Sequence, residues 1–428
     1  MSEDVSERRS ADPRVVIVGG GLTGLGLAIA LKDAGGFDVT VLDAAPPRPK
    51  TSAAPSSTAP MQGDYRASAI TAAARRMLDT LQIWEAVEDR AQPILDMVLT
   101  DSVAEELVRP HLLTFDGEPE PGEPFAHMVP NKALGQALMA RAGALGITVR
   151  APARAVGLSP EAPRRLTLND GSEMTADLVV AADGGRSALR RMARIRTVGW
   201  DYPQTAIVGT VAHTRPHQGR AIEHFLPPGP FATLPLIGDE EYPHQSSIVW
   251  TEASRDADAF LAMDEADFTE ALTERFGRQF GRLTPIGGRA AYPLRLLVAR
   301  DFVRPGLALA GDAAHVIHPI AGQGLNIGLK DIAALAEVLV DARRTGREIG
   351  SLATLQAYER WRRADVVTMA AATDGLNRLF SNSSAPLRAL RSFGLRLTNS
   401  ADPLKGWLVR EAAGLTGDLP RLLQGDTL

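Results

Sequence analysis

An α/β fold is predicted, in which a Rossmann-like nucleotide-binding unit is interrupted by a β-rich insertion and followed by a helical C-terminal region. Three observations predict it. Val15–Val18 is an apolar, β-branched run that passes through the glycine-rich Gly19–Gly26 into a helical pattern at Leu27–Leu31. A second strand-like run, Val39–Leu42, then ends on Asp43. The chain returns to apolar, buried-type strands at Leu178–Ala182 and Leu307–Ala310, as a parallel sheet assembled from distant segments would require. Between these points, Ile94–Phe115 and Ala206–Trp250 alternate apolar and polar residues and are punctuated by Gly and Pro, which predicts antiparallel sheet.

The remaining elements follow in order. Ala44–Gly63, rich in Pro, Ala, Ser and Thr, predicts a surface loop. Helical spacing predicts helices over Ala69–Trp84 and Lys132–Leu145, and largely helical structure from Asp331 onward. The expected division is a discontinuous nucleotide-binding domain (1–90, 130–195 and 296–370), a β-rich substrate domain (91–129 and 196–295) and a helical tail (371–428). No internal repeat is present.

Composition excludes several classes. With 428 residues, 45% hydrophobic and 23% charged, the chain can bury a sizeable core, which argues against a disordered or collagen-like protein. A net charge of −5, from 46 basic and 51 acidic residues, argues against nucleic acid as a partner. Cysteine is absent, so disulfides, thiol nucleophiles, Cys-ligated zinc and iron–sulfur clusters are excluded. Met1–Pro13 is polar and has no apolar signal core, and the apolar window Val15–Ala34 holds five glycines, Lys32 and Asp33. It predicts strand, turn and helix, not a membrane span, and the cytoplasm is the expected compartment.

Three motifs carry chemistry. In the first, Gly19-Gly20-Gly21-Leu22-Thr23-Gly24, glycines serve a tight turn, close approach of a pyrophosphate, and helix–strand packing. The helix N-terminus supplies N–H groups and partial positive charge to phosphates. Asp43, 19 residues past Gly24, suits a carboxylate that binds ribose hydroxyls. Alone, the glycines could be a packing turn; strand, turn, helix, second strand and acid in succession predict a dinucleotide site. The second motif runs Asp177-Leu-Val-Val-Ala-Ala-Asp183-Gly184-Gly185-Arg186-Ser187, a strand entering an Asp-Gly turn, which could equally be a plain Asx bend. The third is Gly311-Asp312-Ala-Ala-His315-Val-Ile-His318-Pro319-Ile-Ala-Gly322-Gln323-Gly324-Leu325-Asn326. Here Asp312 can accept hydrogen bonds from a polyol, the glycines admit backbone N–H groups to a planar ring, and the helix over Asn326–Leu339 favours developing negative charge.

Together the three segments resemble the aromatic-ring flavoprotein monooxygenases of the para-hydroxybenzoate hydroxylase type, and the third is most similar to the ubiquinone-biosynthesis hydroxylases. Asp64-Tyr65-Arg66-Ala67-Ser68-Ala69-Ile70 and Tyr358-Glu359-Arg360-Trp361-Arg362-Arg363-Ala364-Asp365 match the same subgroup. The resemblance spans about 15 to 365 and matches nothing specific in the inserted β-rich region. It implies FAD as cofactor, NAD(P)H as transient electron donor, and hydroxylation of an electron-rich phenol through a flavin hydroperoxide. With one glycine fingerprint only, nicotinamide would have no fold of its own. By the family's pattern Gly19, Gly21, Leu22, Thr23, Gly24 and Asp43 would hold the adenosine pyrophosphate half, with Arg66 and Asn131 near the ribityl and phosphate region. Gly311 and Asp312 would hold the ribityl chain, and Pro319, Gly322, Gln323, Gly324, Leu325 and Asn326 would line the ring, with His318 beside them. Asp183 joins this set as a structural turn carboxylate. No side-chain acid or base is demanded, because the reactive atoms belong to the cofactor. His315 and His318 are therefore expected as packing and hydrogen-bonding residues.

No metal site is expected: Pro216 breaks any helical face shared by His213 and His217. Leu387–Leu415 mixes Leu, Phe and Trp407 with five basic residues, so it can lie on an anionic membrane or pack as a solvated helix. The expected substrate is an aromatic small molecule, a polyprenylated phenol before others, with peripheral membrane contact and a quinone-biosynthesis complex as possible partners. The alternatives are a soluble aromatic hydroxylase of catabolism or secondary metabolism and a non-catalytic, flavin-bound assembly protein. The apolar residues of Phe225–Ile237 and Ala290–Leu296 are the expected pocket walls.

Overall fold

The computed structural model describes residues 12–46, 66–102, 111–116, 118–277, 279–382, 384 and 402–428. Most of the expected Ala44–Gly63 loop, the N-terminal segment before Asp12 and the first half of the Leu387–Leu415 stretch lie outside them.

A six-stranded sheet is ordered Val303–Arg304, Leu307–Leu309, Leu178–Ala181, Arg14–Val18, Asp38–Leu42, Thr148–Arg150. All its pairs are parallel except the Val303–Arg304 edge. Apart from the exposed Arg14 at the start of Arg14–Val18, its central strands Arg14–Val18, Leu178–Ala181 and Leu307–Leu309 are apolar because both faces are covered. The Leu22–Ala34 helix packs on the Gly324–Arg344 helix so closely that a Cβ at Gly26 would stand 2.6 Å from Ile332 Cδ1.

The eight-stranded sheet runs His315–Val316, Leu283–Ala299, Thr197–His213, His244–Ala253, Gly229–Ile237, Arg220–Leu226, Asp96–Asp101, His111–Asp116. It is antiparallel except where Arg220–Leu226 meets Asp96–Asp101 in parallel. On its outer face Phe231 and Trp250 cluster with Phe268 and Phe276 of the Glu265–Phe276 helix, beside the Ser254–Ala262 helix. Its inner face turns to the main core and to the long Leu352–Phe380 helix, where Phe225 stacks on Phe380 at 4.0 Å.

The helix expected over Ala69–Trp84 is shorter. Ala67–Thr71 is a strand, paired antiparallel with Ala126–Pro130, and the helix covers Ala72–Thr80. Thr71 ends the strand and caps the helix, its hydroxyl accepting from Ala74 N–H at 3.3 Å. Alanines satisfy both periods here, so the pairing partner decides. Gln92–Ile94 joins the same small sheet, which therefore takes strands from both sides of the divisions expected at 90/91 and 129/130. No described helix is long and apolar enough to cross a membrane.

The glycine turn makes opposite demands at two positions. A Cβ at Gly24 would stand 1.9 Å from the Gly19 carbonyl oxygen, whereas at Gly21 it meets nothing within 4 Å. Gly24→Ala is expected to destabilise the fold by about 1–3 kcal/mol through overpacking, and Gly21→Ala to stay within about 0.5 kcal/mol. Chemical denaturation of the two variants checks both.

Candidate active site

The first motif is shaped by backbone approach. Gly19 has φ +120°, and a Cβ there would lie 2.1 Å from the Ala182 carbonyl oxygen. Asp43 Oδ2 accepts from Gly20 N–H at 3.0 Å and Oδ1 from Ala45 N–H at 2.8 Å, which fixes the carboxylate beside the turn and leaves acceptor sites spare. The Leu22–Ala34 helix starts at Gly21 without a side-chain cap or a first-turn acid. Its first N–H groups, those of Leu22 and Thr23 among them, are bare donors at the positive end of the helix.

Asp183 is first of all a turn carboxylate: Oδ2 accepts from Ala188 N–H at 2.7 Å and Leu189 N–H at 3.3 Å. Its Oδ1 is sealed and has no partner among the described residues. Arg190, which is buried, ties the second motif to the third by donating to the carbonyls of Gly185 (2.8 Å) and Ala313 (2.7 Å). Thr23 ties the first to the third, since Cβ atoms at Gly311 or Gly328 would each come within about 3.2 Å of it. The first turns of the two helices thus meet at Thr23, Gly311 and Gly328.

Asp331 holds this junction. It lies on the Gly324–Arg344 helix and is fully buried. Oδ2 accepts from Gly311 N–H at 2.9 Å and pairs with His315 Nε2 at 2.6 Å, and Oδ1 accepts from Arg362 Nε at 2.9 Å. Burial opposes its ionisation, yet His315 and Arg362 hold the carboxyl below its ordinary range. Arg362 also meets Asp365 at 2.6 Å, which in turn binds Lys330 at 2.7 Å. Tyr358, one turn before Arg362, donates to the Leu309 carbonyl at 2.8 Å. The Tyr358–Asp365 motif therefore works by anchoring the third motif from behind.

Asp312 is exposed to solvent, although protein atoms crowd around its carboxyl group. Burial pushes its carboxyl up, while His315, Arg66 and Arg295 pull it down. Arg66 thus comes within electrostatic reach of Asp312, and it lies over the Tyr292 ring at 5.4 Å. Asn131 opens the Asn131–Ala144 helix; its N–H donates to the Arg66 carbonyl at 2.9 Å and its Oδ1 accepts from Ser68 Oγ at 2.7 Å. Beyond Pro319, Gly322 adopts φ +63° and the helix begins at Gly324, where a side chain would meet open space. Gln323, Gly324 and Leu325 therefore surround an uncapped helix N-terminus. The Asn326 amide is committed elsewhere, accepting from Thr71 N–H (3.1 Å) and donating to the Ala69 carbonyl (2.7 Å). It positions the Ala67–Thr71 strand. His318 is buried edge-on to Tyr202, centroids 5.1 Å apart, and Tyr202 donates to Asp374 at 2.8 Å. His213 and His217 spend their ring nitrogens on hydrogen bonds to Arg215, Ser246, Leu236 and Gly219.

Two uncapped helix N-termini flank the Asp312 carboxylate, with side-chain space left open at Gly21, Gly184 and Gly324. Such a bed fits a phosphate-linked cofactor with a planar head, which defines the class as a nucleotide-cofactor oxidoreductase. The chain belongs to the FAD binding domain family, whose model matches residues 12–373. That is a family of FAD-dependent monooxygenases of the aromatic-hydroxylase type, with NAD(P)H as the usual donor. Among its relatives is the ubiquinone hydroxylase UbiL of Rhodospirillum rubrum, 43% identical over 418 residues, covering 96% of this chain and 92% of that one. Another is the 3-demethoxyubiquinol 3-hydroxylase of Escherichia coli, 34% identical over 404 residues, covering 94% and 98%. Among solved structures, p-nitrophenol 4-monooxygenase PnpA of Pseudomonas putida DLL-E4 has a similar fold, with TM-score 0.73, 21% identity and coverage of 95% and 98%.

Asp331 and Tyr202 carry weight that the motifs do not announce. Asp331 had a signal, an acid among buried apolar positions of a helix; Tyr202 had none. Two buried rings, His318 at the site and His127 on the Ala126–Pro130 strand, make the fold acid-sensitive. Burial lowers His318 and His127 from 6.5 to about 4, and one nitrogen of each is sealed without a partner. The folded state keeps both neutral, so their contribution is complete above pH 6.5 and lost as pH falls from 6.5 through about 4. Denaturation at stepped pH should show this decline, on the order of 2–3 kcal/mol per ring at its acid end. His318→Phe should flatten its share.

Proposed function

We propose that this enzyme hydroxylates the ring of a polyprenylated phenol in ubiquinone biosynthesis. The observation that carries the proposal is likeness along nearly the whole chain to a protein named ubiquinone hydroxylase, at 43% identity. Bound FAD would supply the oxygenating chemistry; the chain binds, orients and shields. In this proposal Gly19, Gly21, Leu22, Thr23, Gly24 and Asp43 hold the adenosine pyrophosphate half. Arg66 and Asn131 approach the ribityl and phosphate region, Gly311 and Asp312 hold the ribityl chain, and Pro319 and Gly322–Asn326 border the ring. Asp183 shapes the turn facing the pyrophosphate, and the six-stranded and eight-stranded sheets anchor the cofactor and substrate domains.

An isoprenoid tail favours work at a bilayer surface, since each buried methylene is worth about 0.8 kcal/mol. Trp407, 53% exposed on the Asp402–Ala412 helix, is the natural contact. Asp312→Ala should weaken FAD binding by roughly 10- to 150-fold, the equivalent of losing one charge-assisted hydrogen bond, and leave the unfolding midpoint of the apoprotein unchanged. A flavin titration reads the first and denaturation the second. A deletion strain should accumulate a prenylated phenol, and the purified protein should bind anionic vesicles less well once truncated after Pro386. Normal quinone content in the strain would refute the pathway assignment and point to a soluble aromatic substrate.

A further inference from the structure

One buried ionisable side chain takes no part in the architecture above. Glu223 stands in the middle of the Arg220–Leu226 strand and is 5% exposed. Alternation along the strand separates it from Ile222 and Leu226, which pack in the outer cluster with Phe231, Trp250 and Phe276. It shares its face with Ala221, which packs in the main core, and with Phe225, which stacks on Phe380. Glu223 therefore belongs to the inner face of the eight-stranded sheet. Register carries that face from Ala232 through Val249 and Val208 to Ala290, two residues from the Tyr292 ring beneath Arg66. Tyr202 of the Thr197–His213 strand, against His318 of the ring-bordering loop, closes the same side.

Among the described residues nothing satisfies this carboxyl group. Its cross-strand neighbours are Leu99 and Ala232, neither of which has a side-chain donor. Among the described residues no hydrogen bond or ion pair reaches it, and neither oxygen belongs to the sealed, partnerless atoms. Burial raises the carboxyl from 4.5 to about 7. Asp101 stands opposite Phe225 on the adjoining strand, and Asp374 and Arg378 pair on the covering helix, but burial alone accounts for the rise. An unpaired carboxylate inside a protein is costly, and it persists where a ligand completes it.

We propose that Glu223 is a catalytic residue: its carboxylate accepts first the hydrogen bond and then the proton of the substrate's ring hydroxyl, an inference that rests on the aromatic-hydroxylase function proposed above. The O–H bond of the phenol breaks, an O–H bond forms on Glu223, and the electron pair stays on the phenolate oxygen. No oxidant is needed for this step, and the ring becomes richer in electrons before it is oxygenated. A general base of this kind contributes most when its pKa lies near the working pH.

The test uses FAD-loaded wild type, Glu223→Gln and Glu223→Asp, with a short alkylphenol as probe and calorimetry from about pH 5.5 to 9. Wild-type affinity should rise as pH passes about 7, because a carboxylate is a stronger acceptor than a carboxylic acid. Glu223→Asp should keep the rise and Glu223→Gln should lose it. Turnover by Glu223→Gln should fall about 10²-fold with the phenol, and recover most of that loss with a ring-fluorinated phenol that ionises unaided. Identical pH profiles of affinity in wild type and Glu223→Gln would overturn the proposal. Should Glu223→Gln fail to retain FAD, a flat wild-type profile would overturn it equally. A pH-dependent affinity lost in Glu223→Gln, together with normal quinones in the deletion strain, would support the base and remove only the pathway assignment.

Discussion

The rest of the site depends on one buried carboxylate. Asp331 takes a backbone N–H from Gly311, the His315 ring and the Arg362 guanidinium on its two oxygens. Those partners come from two separate segments, the third motif and the Leu352–Phe380 helix, so a single side chain sets the position of the third motif against both long helices. Its ionised form survives burial because each oxygen has a donor and one of the donors is a permanent cation. Removing a partner from such a pair costs about 3–5 kcal/mol, since the remaining charge is left uncompensated. The Gly311–Asp312 turn and the uncapped start of the Gly324–Arg344 helix are therefore placed by the same group. In the proposed site one would face the polyol and the other the ring, so a shared anchor fixes their relative position.

Glycine does different work at each point of this junction. Gly19 and Gly24 let backbone meet backbone, and Gly311 and Gly328 let Thr23 fit between two segments. Gly21, Gly184 and Gly324 crowd nothing in the protein and leave room for a ligand instead. Spacing alone does not separate these roles, because all seven positions look alike in one dimension.

Much of the cofactor side was legible. An apolar run, a glycine turn, a helix and a terminal acid are local features, and each has a local physical cause. The strand at Ala67–Thr71 was not legible, because its alanines suit a helix equally and its partner Ala126–Pro130 lies about 60 residues away. The resemblance implies a place beside the ring for Asn326, and its motif gives no sign that its amide also serves the strand at Ala69 and Thr71. Arg362 could be seen as part of a motif, whereas its purpose depends on Asp331, which meets it only after folding. The inner face of the eight-stranded sheet was least accessible of all. Glu223 and Tyr202 acquire significance from which side of the sheet they occupy and from what covers it, and neither is encoded nearby.

The order of the six-stranded sheet also bears on how the protein comes off the ribosome. Leu178–Ala181 pairs with Arg14–Val18 on one side but waits for Leu307–Leu309 on the other. While the intervening hundred-odd residues are being made, at about 5–20 residues per second, that apolar strand presents an open edge for many seconds. Open edges of this kind invite pairing with other chains. The Asp331–Arg362 clasp is synthesised later still, so the nascent chain has no finished cradle for its cofactor until nearly the whole polypeptide exists. Supply of FAD at the end of translation, and protection of one exposed edge before it, would then govern how much active enzyme a cell obtains.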